Sequence, residues 1–170
     1  MSQRGNIIVT GFMGTGKSAV GNLLAQRLQR EFIDTDTLIE HAAGQPIARI
    51  FAEKGETYFR ELEKQMIRQV CQKQEIVIAT GGGAIVNVDN ATCLKESGTV
   101  ICLTASPETI VQRVQGNKDR PLLQGEEPLM KIRSLLTARA EAYAQADITI
   151  DTSALNPSEV VEVILALVKL

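Results

Sequence analysis

The sequence predicts an α/β fold built on a mainly parallel sheet, and three observations carry that prediction. Short aliphatic runs alternate with stretches of helical periodicity along the whole chain, the signature of successive strand–helix–strand units. The runs are β-branched and continuously apolar, as expected of strands buried on both faces. Aromatic residues make up only 4% of the 170, with no Trp, so the core has to be aliphatic, which suits such a sheet.

The elements follow in order. Residues 6–10, closed by Gly11, read as the first strand. Over 17–30, Val20, Leu23, Leu24 and Leu28 fall at helical spacing. Residues 32–34 form a second short strand, and 37–43 a helix ending near Gly44. Pro46 in the first turn and Gly55 beyond the end delimit a short helix over 46–54. Phe59, Leu62, Met66 and Val70 recur at steps of three and four and predict a longer helix over 56–72. A third strand over 75–80 is cut off by Gly81, Gly82 and Gly83. A helix around 90–96 precedes a strand over 99–104. Ser106, Pro107 and Glu108 supply an N-cap, a first-turn proline and an early acid, which together start a helix. The polar stretch 116–128, with two glycines and two prolines, is the clearest loop. A helix over 128–144, a strand over 147–151 and a last helix opened by Asn156, Pro157 and Glu159 complete the chain, Glu159 being placed for a capping box. No repeat or linker interrupts it, so 1–170 is expected to be one domain.

Composition removes several classes of function. A net charge of −2 offers no basic surface for nucleic acid, yet a few arginines focused in one cleft still suffice for a small anion. The three cysteines, Cys71, Cys93 and Cys102, are widely spaced and form no zinc or disulfide pattern. No apolar run reaches the roughly 20 residues needed to span a bilayer, and residues 1–5 carry no signal-peptide pattern. The expected partners are small molecules, with neither nucleic acid nor membrane, and the expected compartment is the cytoplasm.

One motif carries the functional argument. Gly11, Gly14, Gly16, Lys17 and Ser18 fit G-x-x-x-x-G-K-[ST] in full, between a predicted strand and a predicted helix. A triphosphate needs several backbone N–H groups close to its oxygens, and glycine lets the backbone turn and approach without a Cβ in the way. The following helix adds its positive N-terminal end. Lys17 can bridge the β- and γ-phosphates, and the Ser18 hydroxyl can ligate Mg²⁺.

Asp34 and Asp36 end the second strand. Residues i and i+2 of an extended segment point the same way, which puts both carboxylates at the mouth of the sheet, where open α/β folds bind ligands. One suits Mg²⁺ held through water, and the other a substrate hydroxyl. The alternative is an aspartate N-cap on the next helix. Gly81, Gly82 and Gly83 weaken any regular element and make sense where backbone lies against a ligand. Arg60, Arg120 and Arg139 stand out among the cations. Arg120 sits in the long loop, where an arginine can close over phosphates. Arg113, near the end of the helix leading into that loop, suits a nucleotide contact or a plain cation in the last turn.

On these residues the chain resembles the shikimate kinases nearly end to end. The phosphate loop over 11–18, Asp34 and Asp36 at their spacing, the arginine segment 59–63, the glycine run with Ala84, the stretch 120–123 and the segment 138–143 around Arg139 all match that family in order. The resemblance implies a three-layer P-loop NTPase fold: a five-stranded parallel sheet with helices on both faces, a substrate-binding segment over about 34–62 and a mobile lid over about 113–127. It implies an ATP- and Mg²⁺-dependent monomeric enzyme that makes shikimate 3-phosphate on the route to chorismate and aromatic amino acids. Lys17, Asp34 and Arg120 would be catalytic. Asp36, Arg60, Gly81, Gly82, Gly83 and Arg139 would hold shikimate, the two arginines gripping its carboxylate as guanidinium forks do. Gly11, Met13, Gly14, Thr15, Gly16, Lys17, Ser18, Ala19, Arg113, Arg120 and Asn156 would bind ATP, with Ser18 and, through water, Asp34 on the metal. Ser153, Ala154 and Leu155 stand where family members often carry an arginine beside adenine, which leaves base contact to backbone and Arg113.

Overall fold

The computed structural model describes residues 5–115 and 127–168. Five strands, β1 (Asn6–Gly11), β2 (Phe32–Asp34), β3 (Val77–Ala79), β4 (Gly98–Thr104) and β5 (Ile148–Asp151), form one sheet in the order β2-β3-β1-β4-β5. Every pairing is parallel. Around them are α1 (Lys17–Leu28), α2 (Thr35–Ala43), α3 (Ile47–Val70), α4 (Val88–Ser97), α5 (Pro107–Val114), α6 (Pro128–Tyr143) and, after β5, α7 (Pro157–Leu167), with a 3₁₀ turn at Ala84–Val86.

Strand periodicity divides the core. Ile8, Ile78, Val100 and Cys102 face one layer with Ile67, Leu94, Ile110 and Ile132, from α3, α4, α5 and α6. Ile7, Val9, Val77, Ile101 and Leu103 face the other, with Leu24 of α1 and Val160, Val161 and Ile164 of α7. Burying each such side chain contributes about 1.5–3 kcal/mol. β1 is central because both its faces and both its edges are covered; all six of its residues are buried. A third, smaller cluster of Ile39, Ile50 and Phe59 closes α2 against α3.

The helix boundaries follow their caps. Ser106 and Asn156 accept from the amides of Thr109 and Glu159, and Glu159 returns the capping-box bond to Asn156. Ile47–Val70 is continuous except at Gly55, whose φ of 82° breaks it into the two helices the sequence predicts. The chain departs from expectation at three places. β3 is shorter than 75–80, because Glu75 adopts φ 57° and leaves the strand. The glycine run leads into the 3₁₀ turn and then directly into α4, capped by Asn87 rather than beginning near residue 90. α2 begins at Thr35, so Asp36 lies in a first helical turn and not in extended chain. The extended i, i+2 argument for the two aspartates therefore fails, although both still reach one pocket. Most of the predicted lid, including Arg120, lies outside the described residues. Among the described residues no helix is long and apolar enough to cross a membrane.

Candidate active site

The sheet order reverses direction at β1, whose neighbours β3 and β4 carry the chain to opposite edges. A crevice opens there beyond the strand C-termini, and the loop 12–16 leaves β1 into it. Gly11 is required by space: a Cβ there would lie 2.1 Å from the Leu103 carbonyl oxygen of β4. Gly16, with φ 97°, forms the left-handed N-cap of α1. Within the loop, Thr15 is buried and donates its hydroxyl to the Phe12 carbonyl at 2.7 Å, and the Lys17 ammonium donates to the same oxygen at 2.9 Å. Met13 packs inward, while Ser18 and Ala19 stand exposed on the first turn of α1.

Asp34 reconciles the two readings of its carboxylate. Oδ1 caps α2 by accepting from the Asp36 and Thr37 amides at 2.9 and 3.4 Å. Oδ2 accepts from the Ser18 hydroxyl at 2.5 Å. The cap thus holds the second oxygen against the phosphate loop.

A pocket of about 380 Å³ lies between that pair and the α2–α3 segment. Met13, Ser18, Asp34, Asp36, Arg60, Gly81, Gly82, Gly83 and Arg139 line it, with Phe51, Phe59 and Glu63 among the rest. The three glycines form its floor. A Cβ at Gly81 would lie 2.7 Å from Asp36 Oδ1 and 3.1 Å from Glu63 Oε2, and one at Gly83 2.7 Å from Arg60 Nη2; at Gly82 it would press on the Gly11 carbonyl at 3.3 Å, with Arg139 Nη1 at an ordinary 3.5 Å. Bare backbone at Gly81 and Gly83 lets Asp36, Glu63 and Arg60 converge here.

The arginines are held differently. Arg60 pairs with Glu63 at 2.9 Å and Glu56 at 3.3 Å on its own helix and stays 29% exposed. Arg139 is buried, with its guanidinium 5.4 Å from the Phe12 ring centroid. Tyr143, one turn beyond Arg139, donates its hydroxyl to the Gly82 carbonyl at 2.6 Å, and burial pushes its phenol above the ordinary range against the pull of Arg139. Glu63 is 1% exposed. Burial raises its carboxyl above the usual value, opposed by Arg60 and reinforced by Asp36, and its Oε2 has no hydrogen-bond partner among the described residues.

The structure thus gathers Ser18, Asp34, Asp36, Arg60, Arg139 and the glycine run around one pocket, with Lys17 beside it in the phosphate loop on the Phe12 carbonyl. Arg113 is drawn to the back of the phosphate loop, bonded to Gly14 and Thr152. Asn156 is not among the pocket residues, its side chain capping α7. Glu63, Tyr143 and Thr152 were not singled out from the sequence. The first two carry a legible signal, since they follow Arg60 and Arg139 by three and four residues and so share their helix faces. Thr152 carries none.

Comparison with known proteins agrees with this geometry. The family model described as shikimate kinase matches residues 13–169. A shikimate kinase of Caldanaerobacter subterraneus is 48% identical over 97% of both chains. One of Thermodesulfovibrio yellowstonii is 45% identical over 94% of this chain and 92% of its own. The structure of shikimate kinase from Acinetobacter baumannii in complex with shikimate superposes with a TM-score of 0.94 at 40% identity, covering 97% of this chain and 93% of that one. With a phosphate loop, a paired hydroxyl and carboxylate and two arginines around one pocket, this chain belongs to the shikimate kinase family of ATP-dependent kinases.

Proposed function

We propose that the enzyme transfers the γ-phosphate of ATP to the 3-hydroxyl of shikimate, giving shikimate 3-phosphate and ADP for aromatic amino acid biosynthesis. The single observation that carries this reading is the pocket itself. It runs from the Ser18–Asp34 pair at the phosphate loop to the Arg60 and Arg139 guanidinium groups. A phosphoryl donor at one end and a carboxylate clamp at the other describe an acceptor that is a carboxylated polyol.

In this reading Arg60 and Arg139 grip the shikimate carboxylate. Asp36 and the backbone of Gly81, Gly82 and Gly83 hold the ring hydroxyls. Asp34 receives the hydrogen bond of the reacting hydroxyl and aims its oxygen along the line of attack, since phosphoryl transfer asks mainly for positioning and charge stabilisation. The amides of 11–19 and Lys17 hold the phosphates, with Arg113, Arg120 and Asn156 assigned to the nucleotide side. The hard oxygens of Ser18 and Asp34 fit Mg²⁺, which takes one or two protein ligands and keeps several waters; Ser18 would ligate it directly and Asp34 through water. When bound, the ion neutralises charge on the β- and γ-phosphates. The proposed setting is a monomer in the cytoplasm.

The test is ADP release from Mg²⁺-ATP with shikimate, gluconate, AMP or no acceptor. Release that depends on shikimate alone is expected. Release with gluconate or AMP instead would overturn the assignment of the arginines.

A further inference from the structure

A phosphate cradle works only while its amides face the ligand. Each peptide plane carries its carbonyl opposite its N–H, so the loop's carbonyls must turn away and find donors of their own. Two find them locally: Phe12 accepts from Thr15 and Lys17, and Gly16 from the Val20 amide at 2.9 Å. Of the three between, those of Gly14 and Thr15 are met from outside the motif. The Gly14 carbonyl accepts from Arg113 Nη1 at 3.1 Å, and the Thr15 carbonyl from the Thr152 hydroxyl at 3.0 Å.

These donors are tied to each other. Arg113 Nη1 donates to the Thr152 hydroxyl at 3.0 Å and Nη2 to the Thr152 carbonyl at 2.6 Å. Thr152 is 2% exposed; its hydroxyl also lies 3.1 Å from the Thr104 carbonyl, to which its own amide donates at 2.8 Å. The end of β4, the exit of β5 and the last turn of α5 thus meet on the outer side of the loop. Gly14, at φ 74°, and Gly16 leave the loop's backbone otherwise permissive.

We infer that Thr152 and Arg113 form a clasp that positions the phosphate-binding loop for ATP. Holding the Gly14 and Thr15 carbonyls sets the planes of the Thr15 and Gly16 amides; the Thr15 amide reaches the Phe12 carbonyl at 3.4 Å, so the Gly16 amide is the one the clasp leaves to face the phosphates. Both are positioning residues that act through the loop. The inference rests on ATP occupying that loop, and it gives Arg113 a support role in addition to its place on the nucleotide side.

The test measures Mg²⁺-ATP binding by calorimetry, beside KM for ATP and shikimate, in Thr152→Val, Thr152→Ser and Arg113→Met. Thr152→Val keeps shape and removes the donor. Its Kd and KM for ATP should rise about five- to tenfold, the worth of one hydrogen bond, with KM for shikimate within about twofold. Thr152→Ser should restore ATP binding. Arg113→Met, at an exposed position, should weaken ATP in the same way, and the double variant Thr152→Val with Arg113→Met should lose less than the product of the two single losses, because the residues share one network. Unchanged ATP affinity in either Thr152→Val or Arg113→Met would overturn the clasp. So would equal losses for both substrates, or a serine variant as weak as valine. Were Thr152→Val not to fold, the serine and methionine variants decide alone. A wild-type protein that binds ATP yet shows no shikimate-dependent turnover refutes the proposed reaction, and the binding arm still judges the clasp; one that does not bind ATP overturns both.

Discussion

Gly83→Ala separates the architecture of the pocket from the stability of the fold. Gly83 sits at φ −96°, ψ −2°, a conformation alanine adopts freely, so the backbone gains up to about 0.4–1 kcal/mol from a stiffer unfolded chain. The added methyl would stand 2.7 Å from Arg60 Nη2 and 2.9 Å from Nη1, where ordinary contact begins at 3.4 Å. The guanidinium must therefore withdraw by about 0.7 Å, which a partly exposed side-chain end can do at small cost in packing. Its bond to Glu63 weakens as it moves, so net stability should stay within about 1 kcal/mol, or 2–4 °C in melting temperature. Substrate binding is less forgiving. Charge-assisted hydrogen bonds contribute about 1.5–3 kcal/mol, which corresponds to a ten- to hundredfold rise in KM for shikimate. Steady-state ADP release with each substrate varied in turn, beside a thermal melt, reads all three quantities. A wild-type KM for shikimate would refute the reasoning, as would a rise for ATP of the same size.

Three further outcomes follow from the same geometry. Lys17→Ala should abolish phosphoryl transfer while the protein still melts cooperatively, because the loop loses its charged phosphate contact; turnover near wild type would contradict the role given to the loop. Arg139→Ala should weaken shikimate far more than ATP, and should also lower stability by roughly 1–3 kcal/mol through the void left beside Phe12; equal losses for the two ligands would remove it from the carboxylate clamp. Burial raises the Glu63 carboxyl above its ordinary 4.5, so the native state holds that proton more tightly than the unfolded chain does. This group's contribution to stability therefore falls as pH climbs from about that value through the folded one, and the fall should be missing from Glu63→Gln in denaturant melts between pH 4 and 8. Parallel pH profiles for the two proteins would sink that account.

The order of elements was legible because each has a local cause. The central strand is a run of β-branched residues, the glycine motif sits at its end, and Ser106 and Asn156 cap their helices with their own side chains. Local signals were weakest where the backbone answers to distant partners. Nothing in the sequence around Glu75 announces a positive φ, and the start of α2 two residues early follows from the Asp34 side chain turning back onto the amides of Asp36 and Thr37. That shift moved Asp36 from a strand to a helix while leaving it in the pocket.

The candidate site divides along the same line. By itself the sequence determined the α/β class, the phosphate loop and the cationic and acidic residues eligible for chemistry, since these depend on residue type, periodicity and short spacing. Tertiary structure decided which of them meet. Only the parallel order β2-β3-β1-β4-β5 brings the end of β2 beside the glycine run and the α6 arginine. Only burial leaves Oε2 of Glu63 without a hydrogen-bond partner among the described residues while Oε1 pairs with Arg60. Thr152, 137 residues from Thr15 in the chain, becomes a loop support solely because two strand ends converge there. Such a contact leaves no local pattern, for a hydroxyl takes its meaning from whatever donor and acceptor the fold places within about 3 Å of it.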